Sequence, residues 1–162
     1  MKKLLCAVLY SGMACADPAM TSEECMAEAV YFEAGNQPYI GKVAVAEVVM
    51  NRVASSKYPN NVCSVVHQGK ISKWWLEHHD RRVPLLHKCQ FSYYCDGKEE
   101  EPAKGKNWED SKEVALLVVN DELSYNVTNY ATHYHADYVS PYWNKFMTKT
   151  IIIQDHIFYR QF

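Results

Sequence analysis

A chain of 162 residues, 48% of them hydrophobic and 22% charged, suits a single domain with a real core. Its 17 basic and 19 acidic residues give a formal charge of −2 and form no basic stripe, which argues against nucleic acid as a partner. No internal repeat appears, and beyond the N-terminus no hydrophobic run is long enough to span a membrane.

Residues 1–16 read as a secretion signal. Lys2 and Lys3 precede a mostly apolar run over residues 4–13, and Ala14-Cys15-Ala16 offers a small-x-small cleavage site. The run is short for a bilayer span, so a cleaved leader is preferred over a retained anchor. A lipid attached at Cys15 is a weaker alternative, because Gly12-Met13-Ala14 is a poor lead-in to such a cysteine. Cleavage would leave residues 17–162 as an exported domain in the periplasm, the wall or the medium, with no stable membrane insertion. It would remove two basic residues and no acids, for a net charge of −4. Four cysteines then remain: Cys25, Cys63, Cys89 and Cys95. In an exported chain they predict two disulfides, with three pairings open.

The first helix is expected to start near Thr21, where Thr21 and Glu24 match a capping box, and to end at Gly35-Asn36-Gln37-Pro38. A second helix over residues 39–54 is apolar on nearly every side and belongs at the centre of the fold. Glu47, Asn51 and Arg52 are its only late polar residues, and Glu47 is read as an ion-pair partner of Arg52 or Lys42. Residues 62–107 read as irregular, with an exposed charged loop over residues 98–106. A third helix is expected over residues 108–119, with Asn107 as its N-cap and Trp108, Ala115, Leu116 and Val119 on its inner face. Ile151-Ile152-Ile153 and His156-Ile157-Phe158-Tyr159 look like strands or a hairpin. The result is an α+β fold, helices in the N-terminal half and short strands late.

Glu33 stands out. At helical spacing its neighbours are Met26, Ala29 and Val30, which puts a carboxylate on an apolar stripe. Partial desolvation would raise its pKa and suit it to donating a proton near neutral pH. The plainer reading is a Glu at a frayed helix end. Glu28 falls on a different side of the helix. His78-His79 and His133-x-His135 with Asp137 nearby are weak zinc signals; no His-Glu-x-x-His motif is present, and no metal or other cofactor is expected.

The chain then shows an ordered set of motifs. They are residues 28–34 (Glu-Ala-Val-Tyr-Phe-Glu-Ala), residues 41–53 and Tyr58-Pro59. Val62-Cys63-Ser64-Val65-Val66, Cys89-Gln90-Phe91-Ser92 and Asp96-Gly97 follow. The last are residues 131–135 (Ala-Thr-His-Tyr-His), Pro141-Tyr142-Trp143 and residues 156–160. In this set the chain resembles the SleB-type cell-wall hydrolases, a family of spore-cortex lytic enzymes and related bacterial and phage lysins. The resemblance spans about residues 25–160. It departs at Gly35-Asn36-Gln37-Pro38, where family members commonly carry an Arg-Gly-Glu-Pro-like run.

The resemblance implies a lysozyme-like, lytic-transglycosylase-like single domain over residues 17–162. It implies action on peptidoglycan, at the β-1,4 bond between N-acetylmuramic acid and N-acetylglucosamine; a monomer is expected, with the oligomeric state left open by the sequence. Glu33 falls at the family's catalytic glutamate and would serve as general acid and base, with the muramyl 6-hydroxyl as nucleophile. Gln90, Ser92, His133, Tyr134 and Trp143 are the groove residues the motifs suggest. Asp96 and Asp137 are candidates for a second carboxylate that would permit plain hydrolysis, although Asp96 before Gly97 also reads as a turn residue. The alternatives are a muramidase, a zinc-dependent wall amidase or peptidase, and a wall-binding protein without activity.

Overall fold

The computed structural model describes residues 19–98, 101–123 and 126–161. The proposed leader lies outside the described residues. Helix α1 (Ser22–Ala34) opens on the expected capping box: Glu24 N–H donates to Thr21 Oγ1 at 3.2 Å, and Thr21 N–H donates to Glu24 Oε2 at 2.8 Å. Helix α2 (Tyr39–Val53) is the centre of the molecule, with residues 41–49 all buried. It packs against α1, against α3 (Val62–Val66) and against α5 (Lys106–Val119). Two cores meet on it. One joins α1, α2, α3 and α5; the other joins Ala44 and Val48 to Ala131, Ile153 and Phe158.

The late strands β3 (His133–Ala136), β4 (Thr148–Ile153) and β5 (His156–Arg160) form an antiparallel sheet in the order β3-β5-β4, with Tyr134 opposite Phe158. Alternation along β3 sends its side chains to opposite faces. Tyr134 meets Phe158 and His156 on the face that carries the second core. His133 and His135 turn the other way, against Trp143.

Several expectations need correction. The stretch read as irregular contains α3, strand β1 (Gly69–Ile71), helix α4 (Lys73–His79) and strand β2 (Pro84–Cys89). These elements are short, and α4 buries no residue, so neither left a periodic apolar signal. Helix α5 starts two residues earlier than expected, with Gly105 rather than Asn107 at the N-cap; its φ of +146° favours glycine. Its buried face is Ser111, Val114, Ala115 and Val118, at i, i+3, i+4 and i+7; Trp108 and Val119 pack half-buried against the same core as expected, whereas Leu116 is exposed. Glu47 makes neither expected ion pair. It accepts from Val127 N–H (2.9 Å), Thr128 N–H (3.0 Å) and the Thr128 hydroxyl (2.9 Å), while Lys42 reaches Asp110 at 3.5 Å.

The cysteines pair as Cys25–Cys63, which ties α1 to α3, and Cys89–Cys95, which ties β2 to the 3-10 turn Ser92–Cys95.

Candidate active site

Glu33 lies in the last turn of α1, where the unpaired carbonyls of the helix end already disfavour a negative charge. The three stripe residues below it, Met26, Ala29 and Val30, are fully buried. Burial raises its pKa. Three groups act against burial without overcoming it: the Tyr134 hydroxyl, which donates to Glu33 Oε2 at 3.0 Å, the Ser92 main-chain N–H, and the Arg52 charge. Glu33 is thus a carboxyl held toward its protonated form, with partners waiting for the carboxylate.

Those partners come from three separate elements. Tyr134 sits on the inward face of β3, and the same burial, with Glu33 beside it, keeps its phenol protonated and therefore a donor. Ser92 enters through its main chain, at the start of the turn closed by Cys89–Cys95; the residue itself is exposed. Arg52 is buried at 4% exposure, donates through Nε to Thr132 O at 2.7 Å, and places its guanidinium over the rings of Tyr58 and Phe91. Its Nη1 has no hydrogen-bond partner among the described residues.

Glu33 opens onto a cleft of about 360 Å³. The α1–α2 loop supplies Asn36 and Gln37, α5 supplies Asn107, and the β4–β5 turn supplies Asp155, with Tyr138 at the rim. Gln37 Nε2 donates to Asp155 Oδ2 at 3.0 Å, and Asn107 Nδ2 donates to Asn36 Oδ1 at 3.4 Å. Side-chain amides, a carboxylate and an exposed tyrosine beside a half-buried acid can bond the hydroxyl and acetamido groups of a sugar while a proton is delivered.

Of the predicted groove residues, the structure brings Tyr134 and the Ser92 backbone to Glu33. Gln90 is exposed and its main-chain N–H is used by Gln68 O. His133 and Trp143 lie together on the outward side of β3. Burial, and then Arg52, push the His133 pKa down to about 4, so its imidazole is neutral at pH 7. Neither Asp96 nor Asp137 lines the cleft. Asp96 accepts from Lys98 N–H in a turn, and Asp137 N–H donates to Asp155 O. The carboxylate that shares the cleft with Glu33 is Asp155, which no motif marked. In the sequence Arg52 is a charge ending an apolar helix, inside the 41–53 motif and a candidate partner for Glu47, with no sign that it faces Glu33.

Tyr134→Phe keeps the ring and removes the donor. Glu33 would then lose the largest influence that lowers its pKa, so the alkaline limb of the kcat/KM profile should move to higher pH. The rate should fall by roughly 10- to 100-fold, as expected for losing about 1.5–3 kcal/mol of hydrogen bonding to a charged group. An unmoved limb would show that Tyr134 does not act on Glu33.

Known proteins match this chain in both sequence and fold. Residues 36–159 match the family described as Cell Wall Hydrolase; Glu33 falls just ahead of that span. A spore cortex-lytic enzyme of Bacillus cereus is 54% identical over 41 residues, which are 25% of this chain and 16% of that enzyme. One from Oceanobacillus iheyensis is 40% identical over 62 residues, 35% of this chain and 22% of that enzyme. The matched stretches therefore span less than a quarter of these relatives. The crystal structure of the catalytic domain of the Bacillus cereus SleB protein superposes with a TM-score of 0.62 at 27% identity, covering 86% of this chain and 89% of that one. The catalytic domain of the germination-specific lytic transglycosylase SleB from Bacillus anthracis gives 0.64 at 26% identity, covering 89% and 98%.

Proposed function

The chain belongs to the cell wall hydrolase family, and on that premise we propose that it cleaves peptidoglycan glycan strands between N-acetylmuramic acid and N-acetylglucosamine, as a lytic transglycosylase with Glu33 as acid and then base. The observation that carries this reading is Glu33 itself: one half-buried carboxyl at the head of a polar cleft, with a phenol, a backbone N–H and a guanidinium gathered around it.

The chemistry follows from those partners. Protonated Glu33 gives its proton to the glycosidic oxygen as the bond to the anomeric carbon breaks. The carboxylate that results is met by Tyr134, Ser92 N–H and Arg52, which are worth more to it than to the acid. It then takes the proton of the muramyl 6-hydroxyl, which closes a 1,6-anhydro ring on the anomeric carbon. No second carboxylate is required, because the nucleophile belongs to the substrate. Asp155 in the same cleft supports a second reading, hydrolysis by a water it activates. Its bond to Gln37 engages one of its oxygens elsewhere and places it second.

Mass spectrometry of fragments released from purified peptidoglycan separates the readings. Anhydro-muramyl ends are expected. Reducing muramyl ends would shift the assignment to hydrolysis, and free stem peptides would overturn glycan cleavage altogether. The same reading places the protein outside the cytoplasm, at the wall.

A further inference from the structure

Strands β1 and β2 pair as an antiparallel hairpin whose connection carries α4, so that helix forms the tip of an arm. The base of the arm is fixed. Cys89 is bridged to Cys95, Gln90 N–H donates to Gln68 O, and Ser72 N–H donates to Val83 O. Gly69 is required there, because a Cβ would come within 2.7 Å of Cys89 Sγ. The tip, by contrast, buries nothing: Trp74 is 54% exposed, Trp75 36% and Leu76 39%, with Leu85 and Leu86 exposed on the returning strand.

The arm is also the cationic part of the molecule. Residues 69–89 hold Lys70, Lys73, Arg81, Arg82 and Lys88 against Glu77 and Asp80, a formal +3 in a chain of −2. The remainder of the chain therefore carries −5. Among the described residues none of these five cations is in an ion pair.

From this we propose that the α4 arm adsorbs to an anionic phospholipid surface, with Trp74, Trp75 and Leu76 entering the interface and the flanking cations meeting the head groups. Exposed tryptophans beside lysines and arginines are the composition of interfacial anchors. A charge of opposite sign on the rest of the molecule orients the arm toward a negative surface. The tryptophan faces argue against a sugar platform on this tip: Trp74 stacks on His78 at 5.2 Å, Trp75 lies against its edge and against His79, and Arg81 covers Trp75. The contact is peripheral, since among the described residues no helix is long and apolar enough to cross a membrane. It does not depend on the glycan-cleaving assignment.

The test compares wild type with Trp74→Ala/Trp75→Ala and Arg81→Glu/Arg82→Glu. All are used as recovered after expression, with the N-terminus of each set by mass spectrometry so that the same form is compared. Vesicles of phosphatidylglycerol with phosphatidylcholine, and of phosphatidylcholine alone, are sedimented with each protein, and tryptophan emission is recorded. Wild type should bind the anionic vesicles, lose binding as salt rises, and show blue-shifted emission. Each double variant should bind about tenfold more weakly or worse, with an unchanged melting temperature and unchanged fragment release from lipid-free peptidoglycan. Absence of vesicle binding by wild type overturns the proposal. So does vesicle binding that survives both double substitutions, or equal loss of binding to lipid-free wall, which would make the arm a polymer contact.

Discussion

Glu33→Gln should lower fragment release from peptidoglycan by roughly a hundred- to ten-thousandfold, the range of general acid–base catalysis, while leaving a folded protein. The amide keeps the shape and can accept from Tyr134, but it has no proton to give. Stability supplies an independent readout. Burial raises the Glu33 pKa in the folded state above its unfolded value. The folded protein therefore binds more protons than the unfolded one between those two values, and wild-type stability falls as pH rises through that window. Glutamine does not titrate. The variant should accordingly gain on wild type in melting temperature from the ordinary carboxylate range upward, with the difference levelling once Glu33 is ionised in both states. Thermal unfolding across a pH series measures this. Parallel pH profiles for the two proteins would mean that the carboxyl is not desolvated, and wild-type activity in the variant would remove it from the chemistry.

The sequence carried the fold where an element has a strong period or a cap. Thr21 and Glu24 announced α1, and an unbroken apolar run announced α2 as the central helix. The β4–β5 hairpin was legible because Ile151 to Ile153 and the residues after His156 are β-branched or aromatic. The arm was not legible, because its stability comes from a disulfide and a two-strand pairing rather than from a buried stripe. At the site, Glu33 was visible as an acid on an apolar face. Its surroundings were legible only in part: the motifs name Tyr134 and Ser92, but not that these two and Arg52 meet at Glu33 from elements far apart in the chain. Ser92 is named through its motif, yet its contribution is a backbone amide, which residue type does not announce. Asp155 gave no signal: in sequence it is one more turn residue before a strand.

The other large effect concerns α2. Glu47, Asn51 and Arg52, at i, i+4 and i+5, face the segment that leads into β3. Glu47 takes Val127 N–H, Thr128 N–H and the Thr128 hydroxyl; Asn51 donates to Ala131 O at 2.9 Å; Arg52 donates to Thr132 O. Together they set where β3 begins, and so where Tyr134 meets Glu33. Glu47→Ala removes the acceptor for two backbone amides, one of them on the fully buried Thr128. At about 1–3 kcal/mol for each orphaned donor, the loss is about 2–6 kcal/mol. Against the 5–15 kcal/mol typical of a domain, that brings the protein close to unfolding. Urea denaturation should show a large fall in midpoint for Glu47→Ala, a smaller one for Glu47→Gln, which keeps one acceptor oxygen, and almost none for Glu113→Ala on the exposed side of α5. Equal shifts for Glu47→Ala and Glu113→Ala would mean that the buried carboxylate carries no structural duty. If Glu47→Gln folds but shares the displaced alkaline limb expected of Tyr134→Phe, then the clamp on residues 127–132 sets the geometry of the acid as well as the stability of the fold.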